Sequence, residues 1–200
     1  MTISAAQIKE LREATGAGML DCRKALEASA GDMDKAVASL REKGLATAAK
    51  RADRATLNGV VELYSHGEGR VGVMVELNCE TDFVARTKEF RVFAHELALQ
   101  VAAGSPEYVR PEDVPPAIVD AERQKARALA VQEGKPEKVI ERIIDGRLDK
   151  FYDERCLLRQ VYIRDDAKKV GDLLQEAVAS TGENIVVRRF ARWAVGEEIG

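Results

Sequence analysis

Three cysteines, two histidines and a glycine-rich turn are the parts of this sequence whose types and spacing invite chemistry. Cys22, Cys79 and Cys156 are odd in number, far apart and lack any C-x-x-C pair. They read as reduced thiols, neither a disulfide framework nor a zinc site. His95 to Leu99, HELAL, opens like the zinc-protease pattern H-E-x-x-H, but Leu99 stands where the second histidine belongs. His95 therefore reads as a helix-surface or packing residue. Gly67 to Gly72, GEGRVG, fits G-x-G-x-x-G. That fingerprint holds a pyrophosphate only where a helix opens on the third glycine. Here VGVMVEL follows, which alternates like a strand, so the glycines read as a hairpin turn. No phosphate-cradling G-x-x-x-x-G-K-[ST] occurs. Nothing in this inventory supports an enzyme, a bound metal or a cofactor.

Two other stretches carry the positive signal. Thr81-Asp82-Phe83-Val84 lies where an alternating run gives way to a helical one. Asp82 can be a helix cap or turn acid and Phe83 a core residue, or the pair can face a partner. Pattern alone leaves both open. The second stretch is Thr15 to Gly18, TGAG, followed by Met19 and Leu20. These two apolar residues either pack inside a helical bundle or form a contact patch on it.

The elements that must position them follow from capping and periodicity. Ser4 with Gln7 predicts a capping box, and Ile3 with Ile8 a hydrophobic staple. A second helix is expected over 19–29 with Cys22, Ala25 and Leu26 on one face. Asp32 caps a third, bearing Met33, Val37 and Leu40, which Gly44 is expected to end. A small, basic linker reaches Arg54. Two strands, LNGVVELYS and RVGVMVELN, are joined through HGEG. Helices follow over 86–103, 116–133 and 136–151. Residues 156–164 are ambiguous between helix end and strand. A short helix stopped by Gly182 precedes a closing strand, NIVVRRFARWAV. Strands and helices without strict alternation indicate an α+β fold.

Composition narrows the classes. Of 200 residues, 46% are hydrophobic and 32% charged, enough for a packed core under a charged surface. A formal charge of −3 argues against a nucleic-acid coat. No apolar run approaches the roughly 20 residues that span a bilayer, and MTISAAQIKELRE lacks a signal-peptide layout. A cytoplasmic location is the expectation.

TGAGMLDCRKALEASAGDMDKAVASLREKG, then KRA, NGVVELY, VELNCETDFVAR, EGKPEKVIERIIDGRLDKF and KKVGDLL resemble the elongation factor Ts family from about Ile3 to Ile199. TDFV alone is a weak signal; TGAGMLDC and NCETDFVA together, in this order, are highly specific. The resemblance implies a guanine-nucleotide exchange factor for elongation factor Tu. It implies a ubiquitin-associated-like three-helix bundle with linker over 1–54. Over 55–200 it implies an α+β core with a three-stranded antiparallel sheet flanked by helices. It implies that Asp82 and Phe83 enter the partner beside its magnesium and nucleotide site, with Thr81 and Val84 bracing the turn. Met19, Leu20 and Arg23, and more weakly Arg51, become partner contacts, with no direct nucleic-acid or membrane contact. Lys50, Arg51 and Arg54 read as a solvated linker face. Longer members carry a duplicated core and a projecting helical hairpin. Neither is visible here, so the chain resembles the short form, in which a homodimer supplies the second core. RQVYIR departs from the family's usual wording after CLL. The rival reading is an adaptor working through the N-terminal bundle alone.

Overall fold

The computed structural model describes residues 3–198. It is an α+β fold. The helices are α1 (Ala5–Thr15), α2 (Met19–Ala28), α3 (Met33–Ala49), α4 (Asp82–Ala85), α5 (Lys88–Gly104), α6 (Pro116–Gln132), α7 (Glu137–Arg155) and α8 (Val170–Thr181). The strands β1 (Asn58–His66), β2 (Val71–Cys79) and β5 (Ile185–Ala194) form an antiparallel sheet in the order β1-β2-β5. β3 (Val161–Tyr162) and β4 (Asp165–Lys169) pair separately. The chain groups into two units. One comprises Met1–Glu62, Glu76–His95 and Asp172–Arg188, the other Leu63–Val75, Glu96–Gly171 and Arg189–Gly200.

In the first unit, α1 begins at Ser4, whose hydroxyl accepts from Gln7 N while Gln7 returns its side-chain oxygen to Ser4 N. Gly16 ends the helix at φ 67°, a left-handed conformation that glycine adopts without steric cost. Gly18 then caps α2. Leu11, Cys22, Ala25, Leu26, Ala36 and Leu40 form the bundle's core, with Ile3 and Ile8 packed against it. Asp32 Oδ1 accepts from Lys35 N at 3.0 Å, starting α3. The expected helix end at Gly44 is overturned, because α3 continues to Ala49. A β-carbon at Gly44 would stand 3.2 Å from Cβ of Ala179 on α8. The glycine serves a close helix–helix approach, and not a helix stop.

In the second unit, α6 and α7 are joined across a left-handed Gly134 and pack as a helical hairpin around Ala126, Ala130, Ile140, Ile144 and Leu148. The sequence announces the two helices, but the expectation that the chain has no helical hairpin is overturned, because they pack on each other as one with a core of its own. Residues 156–164 resolve into a 3-10 turn, Leu157–Arg159, followed by β3. Two buried amides replace the missing ladder bonds there. Gln160 Nε2 donates to the carbonyls of Gly104 and Glu154, both at 2.9 Å. Gln100 donates to Val161 O at 3.1 Å and accepts from Ile163 N at 2.9 Å.

Candidate partner-contact site

β2 is alternately buried at Val73, Val75, Leu77 and Cys79, so its end is fixed in register by the core. Beyond Cys79 the chain must turn within two residues. The buried Cys79 thiol donates to Thr81 O at 3.1 Å. Burial, followed by the Glu183 carboxylate, pushes that thiol's pKa up. It is a packing group, and its low thiolate content suits no nucleophilic role.

Thr81 is extended (φ −124°, ψ 156°) and is the N-cap of α4, its hydroxyl accepting from Val84 N at 3.4 Å. Asp82 is therefore not the cap; it begins the helix and pairs with Arg86 at 2.9 Å. Both partners of that pair face solvent, so it adds little stability. Ala85 is the buried anchor of the turn. Phe83 is 81% exposed. The core reading of Phe83 does not survive: its ring gains nothing from the fold of this chain.

What holds the turn lies far away in sequence. Gly182, at φ 75°, ends α8 and sends Glu183 back toward the end of β2. Glu183 Oε2 accepts from Glu80 N at 3.1 Å and Thr81 N at 3.0 Å, and Oε1 accepts from the Thr81 hydroxyl at 2.6 Å. The adjoining residue answers in reverse: Asn184 N donates to Glu80 Oε1 at 2.7 Å. Asn184 Nδ2 donates to Ala52 O and Arg54 O, at 3.1 and 2.8 Å, tying the linker to the same point. Arg54 lies 3.4 Å from Glu80. Sequence reasoning missed Glu80, Glu183 and Asn184. The only local signal was a glycine helix stop followed by an acid, which does not name its distant partner.

Of the other anticipated residues, Met19 and Leu20 are exposed, at 49% and 63%, on the first turn of α2. The patch reading fits these exposures; the packed reading does not. Arg23, also exposed, pairs with Glu27 at 2.8 Å. Arg51 sets its guanidinium beside Gly182, 3.8 Å from a β-carbon built there. Val84 is partly buried.

The chemistry-like motifs resolve as packing and turns. His95 Nδ1 and Glu62 Oε1 are 2.9 Å apart. Gly67, Glu68 and Gly69 all take positive φ in the turn between β1 and β2. Among the described residues, no group of three or more His, Cys, Asp or Glu is placed to hold a metal ion. No described helix is long and apolar enough to cross a membrane.

The family model described as Elongation factor TS matches residues 3–197. The chain is 58% identical over 197 residues to Elongation factor Ts of Caldanaerobacter subterraneus subsp. tengcongensis, covering 98% of each chain. It is 58% identical to that of Moorella thermoacetica, covering 98% of this chain and 97% of the relative. Against that of Coprothermobacter proteolyticus it is 52% identical, over 98% of this chain and 100% of the relative. Matched along nearly its whole length, and with the two signature stretches in one unit, this chain belongs to the elongation factor Ts family.

Proposed function

We propose that this translation elongation factor acts as a guanine-nucleotide exchange factor. It binds the GTPase elongation factor Tu and promotes GDP release by inserting the Asp82–Phe83 turn near the partner's magnesium and nucleotide site. The observation that carries the proposal is Phe83, 81% exposed on a turn braced from behind. A GTPase grips its nucleotide through phosphate contacts and a bridging Mg²⁺. An aromatic side chain that repacks the neighbouring elements loosens that grip without touching the nucleotide. Burying one phenylalanine is worth roughly 1.5–3 kcal/mol, about one to two decades in an equilibrium constant. Further contacts must therefore add binding energy, and Met19, Leu20 and Arg23 are the candidates. By linkage, whatever factor the exchange factor takes from nucleotide affinity, the nucleotide takes from its own. GDP leaves, GTP enters and the factor is released. This chain makes and breaks no bond, uses no cofactor, and works in the cytoplasm.

A homodimer belongs to the same proposal. Leu63, Met74, Trp193 and Val195, all of the second unit, are exposed apolar residues, which supports a second copy of the chain as their cover. The exposure of Met19 and Leu20 also keeps an adaptor reading in view, in which residues 1–45 alone would bind the partner and Phe83 would be dispensable.

Stopped-flow release of a fluorescent GDP from elongation factor Tu, at rising concentrations of this protein, tests the exchange reading. Wild type should accelerate release. Phe83→Ala should lower the plateau rate by about ten- to a hundredfold while melting nearly as wild type. Leu20→Ala should mainly raise the half-saturating concentration. If wild type leaves GDP release unchanged, the exchange reading fails and the adaptor takes its place.

A further inference from the structure

We propose that Glu183 is a positioning residue for nucleotide exchange: its carboxylate sets the direction in which the Asp82–Phe83 turn points. This rests on the exchange reading above and adds to it a residue 102 positions away from Thr81. The turn cannot set its own geometry. α4 has four residues, far below the roughly 12–15 at which an isolated helix becomes even marginal in water. Ala85 is its one buried residue, and Phe83 contributes no burial of its own. The direction of the turn must come from outside.

Glu183 supplies it with three bonds from a single carboxylate. Oε2 takes the consecutive amides of Glu80 and Thr81, at 3.1 and 3.0 Å, which fixes the peptide plane from which the turn departs. Oε1 accepts a hydrogen bond from the Thr81 hydroxyl at 2.6 Å. With its proton so committed, the hydroxyl presents a lone pair to Val84 N, 3.4 Å away, and the cap is locked in one rotamer. Asn184 N on Glu80 Oε1, at 2.7 Å, closes the clasp from the opposite direction. Glu183 thus governs Phe83 through the backbone. Hydrogen bonds to a charged acceptor are the stronger kind, and an amide left without its acceptor is costly.

The same stopped-flow assay tests it, with melting temperatures taken alongside. Glu183→Ala should lower the plateau rate on the order of tenfold, with the half-saturating concentration little changed, because Met19 and Leu20 still dock. Glu183→Gln, which keeps the reach and one carbonyl acceptor, should recover most of the rate. Glu183→Asp, one methylene short, should not. In a Phe83→Ala background, Glu183→Ala should cost nothing further, since both act through one side chain. A normal plateau for Glu183→Ala beside a low one for Phe83→Ala overturns the positioning role and leaves the exchange reading intact. So does an additive loss in the double variant. If wild type accelerates release and Phe83→Ala does so equally, insertion of the turn fails and the positioning role with it; if wild type leaves release unchanged, the exchange reading itself has failed. Should Glu183→Ala melt below the assay temperature, the Gln and Asp variants decide, and equal rates for the two overturn the proposal.

Discussion

Gly44 on α3 and Ala179 on α8 approach so closely that a β-carbon on the glycine would lie 3.2 Å from that of the alanine. A methyl group there must push its neighbour by a few tenths of an ångström, while helix propensity gains about 1 kcal/mol from losing the glycine. The two effects oppose each other. Gly44→Ala should therefore shift stability by less than about 1 kcal/mol, whereas Gly44→Leu should lower it by about 1–3 kcal/mol through overpacking. Urea unfolding of the two variants measures both. A Leu variant as stable as wild type would mean that α3 and α8 separate freely.

Asp153 Oδ1 accepts from Arg159 Nε at 2.8 Å and from Lys169 Nζ at 2.9 Å, joining the end of α7 to the 3-10 turn and to β4. Burial pushes the Asp153 carboxyl up, but the bonds from Lys169 and Arg159 outweigh it and hold the pKa below its usual value. A carboxyl that binds its proton more weakly when folded stabilises the fold above the unfolded pKa, near 3.9. That contribution fades as pH falls through the lower folded value. The melting-temperature gap between wild type and Asp153→Asn should accordingly be open at neutral pH, begin to narrow near about pH 4 and close only below the folded value. Because the pair partners are partly solvated, raising the salt concentration should narrow it too. A gap that persists unchanged at pH 2 would assign the effect to packing.

Trp193, 61% exposed, is the largest apolar side chain left uncovered on β5. If a second copy of this chain covers it, Trp193→Glu places a charge in a dry interface. Sedimentation equilibrium should then show a dimer for wild type and a monomer for the variant, with little change in secondary structure. A wild-type monomer at high micromolar concentration would remove the homodimer.

The fold was legible wherever a few neighbouring residues carry the information. Ser4 with Gln7, and the Cys22, Ala25 and Leu26 face, appear where capping and periodicity put them. The hairpin through HGEG and the closing strand do as well. Gly44 misled because a glycine that ends a helix and one that admits a neighbouring helix look alike until the neighbour is known. β3 was unreadable for another reason: two residues give no period, and what fixes the segment is Gln100, some sixty positions earlier. At the candidate site, the contrast is sharper. Phe83 and Leu20 could be singled out in advance, since both sit in signature stretches beside turn residues. Glu183 could not, because a carboxylate after a helix stop is common, and only the fold brings it to Thr81.

That separation has a consequence for the making of the protein. Synthesis runs from the N-terminus, so Thr81 to Val84 leave the ribosome before the acceptor that holds them exists. At about 5–20 residues per second, the 102 positions between Thr81 and Glu183 correspond to about 5–20 seconds of translation. Throughout that interval a nascent chain carries the motif without its clasp. If Glu183 aims the turn, a chain terminated before residue 183 keeps every letter of the motif and loses its aim, so only the finished molecule is armed.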